Sequence, residues 1–467
     1  MNPTGPARTL AVWVAMLALT GCAHYQPEAL RPAETAAALE ARSLDAPAFR
    51  SFLQANLQAN LPTWDFETLT LAALYWHPSL DVARAEWVST RAGGTTAAAR
   101  PNPTLSAGPE YDFTASELTP WIANLNLDWP VETAGKRGKR IARAESLSAA
   151  ARLRLGVAAW QVRSQLRGAL LEHAAAQNRE QLLLAQLAVQ ENIVGRLESK
   201  IRAGTATPLE ASPARIALAK ARVEAGAARS AAAEARARVA EAIGIPAVAL
   251  AGVQLSFPLQ LPASDVASAD ARRAALLGRA DVLAALADYA AAEATLRLEI
   301  AKQYPDVHLG TGYQFDQGDN KWIIGLSSEL PLLNRNQGPI AEARGKRAEF
   351  AARFTAVQVK AVAELDRALA AWHAAQEQLA GLAPLDAALR QQAEAVTAQA
   401  KAGAAEPLDV LAAQAELAAS AVANFDVRLR ALQAFGQLED ALQRPFEALK
   451  VIEQGRDLQA NTKEKQP

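Results

Sequence analysis

The chain has 467 residues and a net charge of −1, from 48 Lys and Arg against 49 Asp and Glu. That balance gives no global electrostatic case for nucleic acid, and this partner class is set aside. Apolar residues make up 51% but aromatics only 6%. Alanine supplies much of the apolar fraction, which suits helices packed backbone-close and not a bulky globular core.

Residues 1–21 have the form of a signal peptide. Arg8 gives a weakly positive start, and Leu10–Leu19 an apolar run too short to span a bilayer. The segment ends in Leu19-Thr20-Gly21-Cys22, which resembles a bacterial lipoprotein box in which Cys22 becomes the lipidated N-terminus. The competing reading is an ordinary signal peptide with an incidental cysteine. Cys22 is the only cysteine, so the mature chain has no disulfide. Ala23 follows it where an aspartate would suggest inner-membrane retention, which favours the outer membrane. An acyl anchor adds membrane affinity but does not place a chain across the bilayer.

Residues 22–64 are Pro- and Ala-rich with weak periodicity, and an extended N-terminal arm is expected there. A first repeat is expected over 65–243. It starts with a helix over 65–99, broken near His77-Pro78 and again at Gly93-Gly94. A β-hairpin follows over 103–131, then a helical run over 133–202 on the order of 100 Å long. A break at Gly204–Pro208 and a helix over 209–243 complete the unit. A spacer over 244–268 leads to a second repeat over 269–444. That repeat has a helix over 270–303, a hairpin over 305–331, a long helix over 339–402, a break at Gly403–Pro407 and a helix over 408–444. The tail 445–467 is polar at its end. No later stretch has the roughly 18 uncharged apolar residues of a membrane helix.

The hairpins carry the functional reading. Val307, Leu309, Thr311, Tyr313 and Phe315 share one parity, with His308, Gly310, Gly312, Gln314 and Asp316 on the other. Trp322, Ile324 and Leu326 alternate with Gly325, Ser327 and Glu329, and Gln317–Asn320 is the expected turn. Upstream, Leu105, Ala107, Tyr111 and Phe113 oppose Ser106, Gly108, Glu110 and Asp112. In the return arm Trp121, Ala123, Leu125, Leu127 and Trp129 oppose Asn124, Asn126 and Asp128. Tyr111 corresponds to Tyr313, Gly108 to Gly310, Trp121 to Trp322 and Pro130 to Pro331, so the chain is internally duplicated. Each arm has the length of a tilted transmembrane strand. Four strands cannot close a barrel in lipid. Three copies of four would give twelve strands, wide enough for a lumen. Trp121 and Trp129 lie about 26 Å apart along an extended strand, the spacing of two membrane interfaces. The alternative is that these tryptophans are core residues of a soluble sandwich.

With this organisation the chain resembles the TolC-like outer-membrane efflux proteins, or outer-membrane factors. The resemblance rests on Pro101-Asn102-Pro103-Thr104-Leu105 and Tyr304-Pro305-Asp306-Val307 opening the hairpins. It rests also on the paired breaks, Arg202-Ala203-Gly204 to Pro208-Leu209-Glu210 and Lys401-Ala402-Gly403 to Pro407-Leu408-Asp409-Val410. It implies a mainly α fold with a transmembrane β-barrel: a homotrimer with a twelve-stranded barrel on a long-helix tunnel. It implies a passive outer-membrane channel of a tripartite efflux system, not an enzyme. Its partners would be outer-membrane lipid, a periplasmic membrane-fusion adaptor and an inner-membrane pump, most often of the RND type. Glu132-Thr133-Ala134-Gly135-Lys136-Arg137 and Leu333-Asn334-Arg335-Asn336-Gln337-Gly338 resemble the CzcC-type branch, associated with heavy-metal export.

Several residues are candidates for function. Gly204, Pro208, Gly403 and Pro407 would form periplasmic tips where each long helix reverses. Glu210 and Asp409, just inside the following helices, are either ordinary first-turn carboxylates or, by the resemblance, an acidic ring gating the tunnel mouth and favouring cations. Ala405 and Glu406 stand where some relatives carry an arginine before the carboxylate, so a latch like theirs is not expected. Tyr111, Trp121, Trp129, Tyr313 and Trp322 are candidate interface aromatics. Glu110, Asp112, Asp128, Asp316 and Glu329 would give the lumen a negative bias. Lys136, Arg137, Lys139, Arg140 and Arg143 form a basic cluster at a helix start, read either as a solvated face or as contacts to lipid headgroups. The histidines His24, His77, His173, His308 and His373 show no ligand spacing, and Met1 and Met16 both lie in the signal segment. No metal site or cofactor is therefore expected, and the mature chain has no thioether relay for Cu(I). No nucleophile–base pair or phosphate loop emerges. The competing function is a lipid-anchored periplasmic coiled-coil scaffold.

Overall fold

The computed structural model describes residues 25–56, 63–113, 120–261, 272–273, 277–316 and 318–443. The expected signal peptide and Cys22, and the tail 445–467, lie outside the described residues. The chain divides into two units, one ending at Ser43 and one from Leu44 onward. The first contains a short helix, α1 (Pro32–Glu40).

The second unit holds everything else. Helix α2 (Pro47–Asn56) precedes α3 (Phe66–Trp76) and α4 (Pro78–Ala98). The first hairpin is β1 (Thr104–Tyr111) and β2 (Trp121–Val131). Long helix α5 (Lys136–Arg202) follows, with α6 (Pro208–Ile243) folded back along it. The second repeat gives α7 (Ala280–Ala301), β3 (Val307–Asp316), β4 (Asp319–Ser328), α8 (Gln337–Lys401) and α9 (Pro407–Leu442).

Four expectations are corrected. The N-terminal arm is not simply extended. Residues 44–56 fold with the body because Leu44, Phe49 and Leu53 fall on one side of the chain and are buried. Phe49 packs on Tyr75 and Trp76 of α3. The helix over 65–99 breaks only at His77, where Pro78 starts α4 and has no N–H to continue the ladder. Gly93 and Gly94 stay helical, since their roughly 1 kcal/mol propensity costs are absorbed by the turns around them. The expected helix over 270–303 is interrupted at Arg279: positions 272–273 and 277–278 are helical and α7 runs from Ala280, with Arg279 buried at the break and bonded to Asp281, Glu364 and the Ala441 carbonyl. Finally, β4 starts at Asp319, paired with Asp316, so Asp319 and Asn320 belong to the strand and not to the turn.

The strands form one antiparallel sheet in the order β1-β2-β3-β4, so the two hairpins join through β2 and β3. The edges are β1 and β4. The helices follow the same sequence. Near the sheet α4 packs on α5, α5 on α7 and α7 on α8; farther away α6 packs on α5, α5 on α9 and α9 on α8. One flank therefore carries β1, α4 and α6, and the other β4 and α8. The larger core joins α2, α3, α5 and the end of α6 through Phe49, Leu69, Leu166, Leu170 and Ile243. A second joins Leu365 and Trp372 of α8 to Ala431 and Leu438 of α9. Alanine recurs in both, which is the expected consequence of helices lying close together. Among the described residues, no helix is long and apolar enough to cross a membrane.

Candidate functional site

The sheet has its apolar side turned outward. Along β2 every odd position from Trp121 to Val131 is exposed, and of the polar residues between them Asn124 and Asp128 are partly covered while Asn126 is exposed. Ile324 is 88% exposed and Trp322 81%. A water-soluble sheet does the reverse. The expected aromatic residues meet in two matching pairs. Tyr111 lies opposite Trp121 with ring centroids 5.0 Å apart, and Tyr313 opposite Trp322 at 5.2 Å. Trp129 stands near the other end of β2, on the same face as Trp121.

The polar face carries fewer free charges than expected. Asn124 donates to Glu110 (3.0 Å), His308 Nδ1 lies 2.8 Å from Asp128, and Lys321 donates to Asp316 (2.6 Å). Asp112 follows the end of β1, where its N–H donates to the Pro120 carbonyl. Glu329 lies past the end of β4 and lines a cleft of about 410 Å³ with Glu132, Lys136, Arg140 and His308. Lys321 thus neutralises part of the negative charge expected on this face. Gly312 is the close approach on this face, since a β-carbon there would collide with the Asn126 side chain.

Where sheet meets helices, the basic cluster does something neither expectation contained. Arg137 donates to the Ala98 carbonyl (2.7 Å) and Arg140 to that of Ala99 (3.1 Å), at the C-terminus of α4. Carbonyls there lack intrahelical donors, and cations satisfy them. Arg140 also grips Glu132 with two nitrogens, which raises its pKa further above the usual guanidinium value. Lys139 donates to the Ala134 carbonyl (2.6 Å). Lys136 is buried and donates to Asp306 (2.8 Å), which also accepts from the Thr133 N–H (2.9 Å). Burial works against the Asp306 charge, but the Lys136 and Thr133 donors outweigh it and hold the carboxyl below its usual range. Only Arg143 of the five is exposed. Arg137 and Arg140 thus fasten α4, and Lys136 the second hairpin, to the start of α5.

The two helix reversals share one construction. Gly204 (φ +70°) and Gly403 (φ +77°) occupy the left-handed region that ends each long helix. Thr205 N–H donates to the Lys200 carbonyl and Ala404 N–H to that of Gln399, both at 2.9 Å. Pro208 and Pro407 then open α6 and α9. Glu210 and Asp409 take part in capping boxes, accepting from the Thr207 and Glu406 N–H groups at 3.0 and 2.9 Å. Both carboxylates thus have the capping role, with side chains exposed at the turn. Sequence reading missed Lys200, which reaches Glu406 at 2.5 Å and ties the two turns together. It missed Asp306 as well. The signal was present in its place, just before β3 and opposite a lysine-bearing helix start, but the pairing is 170 residues apart. Among the described residues, no group of three or more His, Cys, Asp or Glu is placed to hold a metal ion.

Comparison with known proteins follows this architecture. The model of a family described as "Outer membrane efflux protein" matches residues 70–245 and 271–443, one stretch for each repeat. The cobalt-zinc-cadmium resistance protein CzcC of Cupriavidus metallidurans is 27% identical over 269 residues, or 57% of this chain; that stretch spans 62% of the relative's own length. The outer membrane protein VceC of Vibrio cholerae is 25% identical, with a TM-score of 0.65 over 82% of this chain and 97% of its own. The outer-membrane channel OprN, at 20% identity, aligns with a TM-score of 0.66 over 81% of this chain and 90% of its own. Sheet, long helices and reversals are thus shared with outer-membrane channels, and the chain belongs to the outer membrane efflux protein family.

Proposed function

We propose that three copies of this chain close their sheets into a twelve-stranded outer-membrane barrel, continued into the periplasm by a tunnel of the paired long helices. The duct is passive. It forms the outer component of a tripartite efflux system, with a membrane-fusion adaptor and an inner-membrane pump of the RND type, and it exports metal ions or small toxic molecules. The observation that carries this is the sheet: an outward apolar face bounded by two unpaired edges, which lipid and neighbouring copies would cover. Tyr111, Trp121, Trp129, Tyr313 and Trp322 sit at the membrane interfaces in this reading, and Cys22 carries the lipid. The likeness to CzcC favours metal ions as cargo.

The decisive experiment isolates the protein from outer membranes in detergent. A heat-modifiable trimer is the expected result, and a monomer extracted without barrel behaviour would leave only the scaffold reading. Deleting the gene and scoring susceptibility to a panel of metals and drugs then assigns the cargo. In the assembled trimer Glu210 and Asp409 place up to six carboxylates near the tunnel mouth. Glu210→Ala with Asp409→Ala should raise single-channel conductance and weaken block by divalent cations; unchanged values would restrict both residues to capping.

A further inference from the structure

The outward apolar face of the sheet continues past its last rung. Val131 and Val307 face each other at the end of the β2–β3 ladder. Two residues further on, the Thr133 hydroxyl donates to the Pro305 carbonyl (2.6 Å). Thr133, Ala134, Tyr304 and Pro305 line an open, mainly apolar groove of about 540 Å³ there, and the Tyr304 ring is largely exposed. Val307 pairs with Ser328, and the same register two residues on sets Leu330 beside Pro305. Leu330, Leu332 and Leu333 follow in the link to α8, at 73%, 74% and 99% exposure.

The duplication sets the level of these leucines. Pro130 corresponds to Pro331, so Leu330 stands in the place of Trp129 and Leu332 in that of Val131, both exposed on the outward face. Leu333 stands in the place of Glu132. In repeat one that carboxylate is drawn back to the helices by Arg140. Counted from the left-handed caps Gly135 and Asn336, the position that matches Arg140 is Ala341. With no arginine there to hold a carboxylate, repeat two places a fully exposed leucine at 333.

Three neighbouring leucines beside an apolar groove mark a contact surface, and level and charge name its occupant. Trp129 marks one membrane boundary in the duct reading. Leu333 lies three residues beyond the matching level, about 8 Å down a tilted strand. That is close to the thickness of one headgroup layer. Cations border the apolar groups on the side away from the sheet. Lys139 sets its ammonium against the carbonyl of Ala134 in the groove (2.6 Å), and the exposed Arg335 follows the leucines by two positions. Apolar side chains edged by long cationic ones suit a phospholipid, with its carbon chains on one side and its phosphate on the other.

We propose that the groove and the three leucines seat a phospholipid of the inner leaflet of the outer membrane. Leu330, Leu332 and Leu333 lie against its glycerol and upper acyl carbons, and Lys139 and Arg335 meet its phosphate. The inference rests on the duct reading and extends it, because the lipid contact then reaches beyond the strands and is unequal in the two repeats.

Photo-crosslinking of the full-length chain in vesicles of phosphatidylethanolamine and phosphatidylglycerol tests it. p-Benzoylphenylalanine replaces Leu333 in one variant and Ile324, on the lipid face of the proposed barrel, in another; the exposure of both positions spares folding. Irradiation should give phospholipid adducts at both positions in comparable yield. Lys139→Gln should lower the ratio of phosphatidylglycerol to phosphatidylethanolamine adducts at position 333 about fivefold, and leave the ratio at position 324 unchanged. Lipid adducts at 324 with none at 333, or with 333 linked only to a second copy, would overturn the seat while leaving the duct. An adduct at 333 whose ratio ignores Lys139→Gln would overturn the place given to the phosphate. Lipid adducts at neither position would overturn both the seat and the duct.

Discussion

The two repeats agree where their geometry is local and diverge where it is not. Each hairpin ends in a Tyr–Trp pair at nearly equal ring spacing, and each long helix ends in a left-handed glycine followed by a capping box. The contacts that cross between repeats have no such twins. Helix α5 sends Arg154 to Asp288 of α7, and Arg163, Arg167 and Arg179 to Glu439, Asp440 and Asp426 of α9. On α8, Arg347 crosses to Glu293 of α7, while Arg353 and Arg390 pair with Glu349 and Asp386 on their own helix. The reason is position. Helix α5 has neighbours of its own chain on both sides, and α8 has them on one side only. Duplicated sequence is retained where a residue answers to its own turn or strand, and is free to differ where the neighbour differs.

The largest effect should come from the most buried crossing. Arg163 is 2% exposed, bonded to Glu439 and stacked on Phe66 and Trp160. Burial lowers the Arg163 pKa and raises that of Glu439, and the attraction between the two opposes both shifts. Arg163→Leu leaves the Glu439 carboxylate only the longer contact to Arg167 (3.7 Å), at a cost of about 3–5 kcal/mol in stability, whereas Arg163→Leu with Glu439→Leu should recover most of it. Arg347→Leu, which breaks the half-buried pair between α8 and α7 within the second repeat, should cost about 1 kcal/mol or less. Chemical-denaturation midpoints of the variants check the order; equal losses would remove the distinction between the two helices. Gly436 belongs to the same crossing, because a β-carbon there would overlap the Arg167 guanidinium.

The junctions are the next comparison. Repeat one uses Lys136 and Thr133 to hold Asp306; repeat two uses Asn336, which donates to the Glu299 carbonyl (2.7 Å). Asp306→Asn should cost about 1–3 kcal/mol by weakening charge-assisted bonds, and Asn336→Ala about 1 kcal/mol. Both should depend on acidity, because Asn336 also donates to the Glu299 carboxylate (3.0 Å), whose pKa is lowered as well. The Asp306 pKa is lowered in the folded protein, so its contribution is complete above the unfolded carboxylate value near 4 and is lost as pH falls through the lower folded value. Stability of the unchanged protein and of Asp306→Asn, followed from pH 6 downward, should therefore converge in acid. Parallel curves would mean that the charge at this site does not matter.

These comparisons also show what could be read before any coordinates. Period-two alternation, paired prolines and the Gly–Pro breaks declare themselves over a few residues, so hairpins, duplication and tips were legible, along with the apolar face of the sheet. The partners of Arg137 and Arg140 were not, because the α4 carbonyls they cap lie about 40 residues upstream and have no side-chain signature. The burial of Phe49 was hidden in the same way: its aromatic neighbours Tyr75 and Trp76 belong to a later helix. Parity sets the strand carboxylates on the polar face but is silent on a lysine across the turn or a histidine on the next strand.

At the tips the comparison predicts near-equality. Thr207→Ala and Glu406→Ala each remove an N-cap acceptor, and each should cost about 1 kcal/mol. Glu406→Ala also removes the Lys200 ion pair, but that pair is exposed and adds little. A loss several times larger in one variant would show that the tips differ in more than their caps.

The smallest effect is the sharpest contrast in residue type. His173 of α5 and His373 of α8 lie two hundred residues apart, the first buried against α6 and the second exposed. Burial lowers the His173 pKa, and the nearby Arg236 of α6 lowers it further, against a backbone contact to Ala232 that raises it. The folded state therefore binds its proton less readily than the unfolded chain does. Stability is full above the unfolded histidine value near 6.5 and declines as pH falls from there toward the folded value. His173→Leu should flatten that part of the stability profile. If the variant keeps the slope, the proton is taken up elsewhere.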